Sequence, residues 1–111
     1  MNATHNLHVE FSGPSGQEPS LKAYCMNPQG RWNPSSLRLN TCLGDDRGSF
    51  QWGGQNFTQM ARNIRFNPEE GDSHVPVLRA ELRDDAGEYH ERDVNLAEKI
   101  NNRDGYLQFS G

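Results

Sequence analysis

Four histidines (His5, His8, His74 and His90), two cysteines (Cys25 and Cys42) and three acidic pairs (Asp45-Asp46, Glu69-Glu70 and Asp84-Asp85) are the side chains with which this chain could do chemistry. Structural zinc needs cysteines and histidines a few residues apart in matched pairs, and these side chains have no such spacing. Paired carboxylates can share general acid and base work. Here each pair lies in a stretch bearing Gly or Pro, where Asp commonly accepts hydrogen bonds from the turn's own amides. Neither Asp-Asp pair runs on into a calcium loop with a closing glutamate. A phosphate-cradling glycine loop, a G-x-S-x-G elbow and a dinucleotide fingerprint are all missing. The residues therefore point away from an enzyme, and no metal or cofactor is expected.

Binding by neutral polar groups remains. Two turns rich in Asn and Asp, Gly44-Asp45-Asp46-Arg47-Gly48 and Asn101-Asn102-Arg103-Asp104-Gly105, offer donors and acceptors together. That mixture suits vicinal hydroxyls and needs no net charge. The bland alternative is that these side chains only cap their own turns, and one residue can do both.

The bulk properties narrow the partners. A chain of 111 residues is one small domain with little core to spare. Its hydrophobic share is 32%, yet 11 Gly and 6 Pro fall between short apolar clusters, which favours a turn-rich fold over disorder. A net charge of -4 without a basic cluster makes nucleic acid an unsuitable partner. No apolar run approaches the roughly 20 residues of a membrane span. The start, MNATHNLHVEF, lacks the basic and apolar segments of a secretion signal, so a cytoplasmic location is expected.

The elements that must position these turns come twice. With a constant offset of 57, Leu21–Trp52 lies on Leu78–Phe109 without a gap, and Gly30/Gly87 and Gly48/Gly105 match at both turns. Upstream the offset becomes 55, pairing Val9 with Ile64 and Phe11 with Phe66. Two copies are too few for a solenoid, so the expectation is a pseudo-twofold single domain. Leu21, Ala23 and Cys25 alternate with polar neighbours, as do Leu78, Ala80 and Leu82, which is the period of half-buried strands. Asn27-Pro28-Gln29-Gly30 and Asp84-Asp85-Ala86-Gly87 then turn each run back as a hairpin. Returning strands carry Trp32 and Tyr89, and final strands cover Ser49–Trp52 and Tyr106–Phe109. Between the repeats, Phe57, Met60 and Ile64 have helical spacing, which predicts one or two turns of helix within Asn56 to Arg65.

The combination SSLRLN…DDRGSFQWGGQNF followed by VNLAEKINNRDGYLQF resembles the cyanovirin-N homologue family, tandem-repeat mannose-binding lectins. The resemblance covers nearly the whole chain. It is most specific at Ser35-Ser36-Leu37, Leu39-Asn40, Gly48, Trp52, Asn56-Phe57, Arg62-Asn63 and Asn95-Leu96. The length and the missing family disulfides are similar to fungal members. It implies an elongated all-β fold, a single domain over 1–111 with repeat 1 at about 1–53 and repeat 2 at about 54–111. Two pseudo-symmetric lobes follow, each a three-stranded sheet plus a β-hairpin with short helical turns. Lobe A combines about 1–42 with 99–111, and lobe B spans about 43–98. Each lobe can carry a pocket for terminal α1,2-linked mannose at its far end, so mannose-terminated oligosaccharides are the expected partners.

Carried over residue by residue, the resemblance places the lobe A site at Thr4, His5, Met26, Pro28, Asn102, Arg103 and Asp104, with Met1 on the same wall. Asn102 and Asp104 match the family's sugar-binding residues, whereas most of the facing wall has changed. The lobe B site falls on Asp45, Gln55, Asn56 and Gln59, with Met60, Asp85 and Gly87 beside them. There Gly44 and Arg47 stand where the family has acids, and Asp85 where it has a basic clamp. One weak site, in lobe A, is expected. The alternative is a protein-interaction module with the same fold and degraded pockets.

Cys25 matches a family cysteine whose partner position is Asn6, and Cys42 falls on an ordinarily aliphatic position, so both are expected as free thiols. Without a disulfide, stability is expected from packing of Trp32, Trp52, Phe50, Phe57, Phe66 and Tyr89. In this family the inter-repeat link can exchange halves between chains. Gly53-Gly54 is a flexible hinge able to fold back, so a monomer is expected, with a domain-swapped dimer as the alternative.

Overall fold

The computed structural model describes residues 3–72 and 74–111. Its elements are strands β1 (Thr4–Ser12), β2 (Glu18–Met26), β3 (Trp32–Arg38), β4 (Leu43–Asp46) and β5 (Ser49–Trp52). The second copy follows as β6 (Ala61–Glu70), β7 (Val75–Arg83), β8 (Tyr89–Asn95), β9 (Ile100–Arg103) and β10 (Tyr106–Phe109). Single 3-10 turns occur at Leu39–Thr41, Phe57–Met60 and Leu96–Glu98. The two antiparallel sheets β1-β2-β3 and β6-β7-β8 are accompanied by the hairpins β4-β5 and β9-β10, as the repeat implies.

Alternation sets the faces of the central strands. Leu21, Ala23 and Cys25 on β2 are buried while Tyr24 and Met26 are exposed, and Leu78, Ala80 and Leu82 are buried on β7. Pro19 and Pro76, also 57 apart, are fully buried at the starts of these strands. Pairing to β3 and β8 begins only at Ser20 and Val77, so neither proline faces that ladder with a missing N–H. Leu39, Leu43, Phe57, Leu96, Ile100 and Leu107 complete one continuous core. The molecule is elongated, with extents of 50 × 35 × 23 Å.

Each hairpin packs on the sheet of the other repeat. β10 lies against β3 and β2, and β5 lies against β8. The contacts are matched: a Cβ on Gly105 would lie 3.0 Å from Asn27 Cβ, and one on Gly48 would lie 3.0 Å from His90 Cδ2 and 3.3 Å from Asp84 Cβ. Asn33 Nδ2 donates to the Gly105 carbonyl at 2.7 Å, and Arg92 Nε donates to the Gly48 carbonyl at 2.9 Å. At the centre, Trp52 stacks on its repeat counterpart Phe109, with ring centroids 5.7 Å apart.

Four details differ from the sequence reading. The turns of β4-β5 and β9-β10 are two residues long, so Gly44–Asp46 and Asn101–Arg103 lie in strands. Arg47 (φ 53) with Gly48 (φ 90), and Asp104 (φ 54) with Gly105 (φ 98), have the paired positive φ of a twist-matched hairpin turn. The expected helix ends at Met60, because Ile64 packs on the core from β6. Trp32 and Tyr89 are 49% and 37% exposed and do not belong to the core, whereas Phe57 does and Phe50, Trp52 and Phe66 pack against it half-buried. Half of the Gly53-Gly54 joint is packed: a Cβ on Gly54 would lie 2.9 Å from Gly44 Cα, so small residues on both sides permit the crossing, whereas Gly53 (φ 81) turns in open space.

Asn40 secures that joint. It is 4% exposed, yet its Nδ2 donates to Glu18 Oε2 and Thr58 Oγ1, both at 2.8 Å. Its Oδ1 accepts from the Thr58 amide at 3.2 Å, and its carbonyl accepts from the Asn56 amide at 2.9 Å. A buried polar side chain is tolerated when it is satisfied in this way.

Candidate functional site

The end of lobe A is assembled by one side chain. Asn102, on β9, donates from Nδ2 to the Met26 carbonyl at 3.0 Å and to the Ala3 carbonyl at 3.2 Å. Its Oδ1 accepts from the Gly105 amide at 2.9 Å. The Met26 amide in turn donates to the Ala3 carbonyl at 3.0 Å. Three segments far apart in sequence thus converge: the start of β1 with Thr4 and His5, the end of β2 with Met26 and Pro28, and the β9-β10 turn with Arg103 and Asp104. Both amide hydrogens of Asn102 are spent on backbone, which leaves one Oδ1 lone pair for a ligand. His5, Pro28, Arg103 and Asp104 are exposed around this clamp. Met1 lies outside the described residues.

Asn27 shapes the neighbouring turn. Its Oδ1 accepts from the Gln29 and Arg31 amides at 3.1 and 2.9 Å, which holds Pro28 outward. Asp84 does the same in the other copy, accepting from the Ala86 and Glu88 amides at 2.8 and 2.9 Å. The capping role expected of these acidic turns is what the structure shows for Asp84. Asp45 likewise accepts from the Gly48 amide at 2.7 Å.

The lobe B end is a cleft of about 420 Å³ lined by Asp45, Arg47, Met60, Arg83, Asp84, Asp85, Ala86 and Gly87. It joins Asp45 to Met60, Asp85 and Gly87, while Gln55, Asn56 and Gln59 are exposed and do not line it. Its charges partly answer one another, with Arg47 Nε 3.8 Å from Asp46 and 4.0 Å from Asp85. Asp45 Oδ2 is the buried side-chain atom without a hydrogen-bond partner among the described residues.

The sequence reading missed a cluster beside this cleft. Ligand atoms of Asp84, Glu88 and His90 lie within 4.8 Å of one another. His90 Nε2 is 2.6 Å from Asp84 Oδ2, and the other Asp84 oxygen is occupied by the two turn amides. The turn offset that pairs Asn27 with Asp84 also pairs Asn33 with His90, so the signal was the repeat itself.

Hydrogen bonding holds several carboxyls below their ordinary range: Asp84 chiefly through His90, Glu81 chiefly through Arg62, Glu18 chiefly through Arg38 and Glu10 chiefly through Lys22. A carboxyl whose pKa falls on folding gives stability that is complete above its unfolded value of about 4. That share is lost as pH drops through the lower folded value. The melting temperature should therefore fall on acidification below about pH 4. Asp84→Asn should make that fall shallower in a pH series followed by circular dichroism.

Cys25 and Cys42 are free and buried, as expected. Burial pushes the Cys42 thiol up to about 11 and raises Cys25 as well. Native protein should therefore give no reaction with an aromatic disulfide reagent at about pH 8, and both thiols should react once the chain is unfolded. Rapid reaction in the native state would contradict the buried placement.

Comparison with known proteins gives a consistent result. The family model described as the CVNH domain matches residues 4–108. A cyanovirin-N homologue from Neurospora crassa is 53% identical over 88 residues, which is 79% of each chain. Among solved structures, a designed cyanovirin-N homologue lectin superposes with a TM-score of 0.82 at 46% identity, covering 98% of this chain and 96% of the other. A complex of microvirin with mannobiose has the same fold, with a TM-score of 0.76 at 24% identity over 97% and 94% of the two chains.

Proposed function

The chain belongs to the CVNH domain family, and from that premise we propose that it is a lectin for mannose-terminated glycans, binding terminal α1,2-linked mannose weakly through one site at the end of lobe A. The observation that carries this reading is the Asn102 clamp, which gathers His5, Met26, Pro28 and Asp104 from three segments. An exposed carboxylate and an imidazole around a fixed turn match adjacent sugar hydroxyls as acceptors and donors. The mannobiose complex of a chain with the same fold supports the sugar class.

Lobe B offers the second reading, because its end forms a cleft of about 420 Å³. Its lining sets two arginines among three aspartates, of which Arg47 and Asp85 approach only to 4.0 Å, while Asp45 Oδ2 has no partner among the described residues and could accept from a hydroxyl. A glycan array tests the class. Signal confined to mannose-terminated glycans is the expected result, and silence at high protein concentration would favour the interaction-module alternative. The packing of Gly54 on Gly44 and the buried Asn40 bonds favour a closed monomer. Light scattering at micromolar concentration should give the mass of one chain, and a stable dimer would count against that.

A further inference from the structure

The outward faces of the two large sheets differ, although the repeat makes them counterparts. On β6-β7-β8 that face is closed by its own charges. Arg62 lies over the Tyr89 ring at 3.8 Å and binds Glu81 at 2.9 Å. Arg65 pairs with Glu91, and Arg79 pairs with Glu70. One face of the Tyr89 ring lies under Arg62, and the arginines are answered.

On β1-β2-β3 Lys22 and Glu10 are charged, as their counterparts Arg79 and Arg65 are, but the counterparts of Glu81, Tyr89, Glu91 and Asp93 are uncharged. An offset of 57 puts Tyr24 where Glu81 stands, Trp32 where Tyr89 stands, Pro34 where Glu91 stands and Ser36 where Asp93 stands. Trp32 and Tyr24 are 49% and 43% exposed. His5 joins them, with its ring 5.7 Å from Trp32 and 6.3 Å from Tyr24. Register places this cluster at the end of the sheet, where Met26 opposes Trp32 and His5 opposes Tyr24. Met26 is also the residue whose carbonyl Asn102 holds. From Tyr24 a groove of about 440 Å³ runs inward along the same face past Asn6, His8, Lys22 and Ser36. Glu10 anchors its floor, 2.7 Å from Lys22 and 3.4 Å from His8.

We propose that this face, entered at His5, Trp32 and Tyr24, is an extended saccharide-binding surface that takes the sugar residues beyond the disaccharide held at the end of lobe A. The inference rests on the lectin reading above and adds the length of glycan that the site prefers. The face of an aromatic ring is electron-rich and attracts the polarised C–H bonds on one side of a pyranose. The groove beyond supplies what the next hydroxyls need: an amide at Asn6, a hydroxyl at Ser36 and the ammonium hydrogens of Lys22 that Glu10 does not take, with His8 held between the Asn6 carbonyl and Glu10. Pocketed apolar surface with a few convergent polar groups is the usual composition of a small-ligand site. An isolated protein-docking face would carry a larger apolar patch. His5 is the shared residue, since it belongs to the end site by position and to the platform by its tilted ring contacts with Trp32 and Tyr24.

The test is a titration of α1,2-linked mannobiose and mannotetraose by calorimetry. Native protein should bind the tetrasaccharide roughly five-fold more tightly than the disaccharide. In Trp32→Ala that ratio should fall to about one, whereas Tyr89→Ala, on the covered face of the other sheet, should keep the native ratio. The Trp32 indole N–H resonance should shift with tetrasaccharide and stay in place with disaccharide. Binding of the disaccharide with no length advantage, or an advantage that survives Trp32→Ala, would overturn the extended surface and leave the lectin reading standing. Loss of both ligands in native protein would overturn the lectin reading, and the extension with it.

Discussion

Phe57→Ala should lower the free energy of unfolding by about 3–5 kcal/mol. Phe57 is fully buried, packs 5.5 Å from Phe50 and sits in the 3-10 turn that follows the inter-repeat link. Its removal leaves a cavity that the rigid surroundings cannot fill, because the adjacent Thr58 is fixed twice to Asn40. A small domain holds about 5–15 kcal/mol in all, so the variant should approach the limit of folding at physiological temperature. Urea denaturation followed by tryptophan fluorescence measures the change. A loss below about 1 kcal/mol would mean that this end of the core collapses around the gap.

Asn102→Ala should have the largest effect on binding. It removes three hydrogen bonds that tie Ala3, Met26 and Gly105 together, and roughly 2–3 kcal/mol of stability should go with them. The three walls of the lobe A site then lose their common anchor, and affinity for mannobiose should fall by more than about ten-fold, equivalent to about 1.4 kcal/mol. Asp104→Asn separates the two roles. Its carboxylate is exposed and asparagine tolerates the positive φ of 54 at this turn, so stability should change by no more than about 0.5 kcal/mol while affinity still falls. If Asn102→Ala keeps native affinity, the site does not depend on this clamp.

The fold was legible because the same pattern is written twice. Leu21, Ala23 and Cys25 alternate in step with Leu78, Ala80 and Leu82, and matched glycines end the hairpins at Gly48 and Gly105. Smaller features failed for physical reasons. Phe57, Met60 and Ile64 satisfy a helical spacing, but the chain leaves the 3-10 turn at Met60 and Ile64 reaches the core from a strand. Trp32 was read as core because it is large and aromatic, yet its partner across the ladder is the exposed Met26, and face is set by parity rather than by size. The residues proposed for the lobe A end could be listed from the sequence, but their joining could not. Asn102 reaches carbonyls 76 and 99 residues away in sequence, and spacing carries no trace of such a contact. The contrast between the two outer faces needed both the repeat and the structure, because Arg62 covers Tyr89 only after β6, β7 and β8 have paired.

Mapping amide shifts while titrating α1,2-linked mannobiose into isotopically labelled protein tests the central claim most directly. The expected result is a set of progressive shifts confined to the residues around the Asn102 clamp: Ala3 to Asn6, Met26 to Gln29, and Asn102 to Gly105. Shifts concentrated instead at Asp45 to Gly48 and Arg83 to Gly87, or no shifts at millimolar sugar, would contradict it.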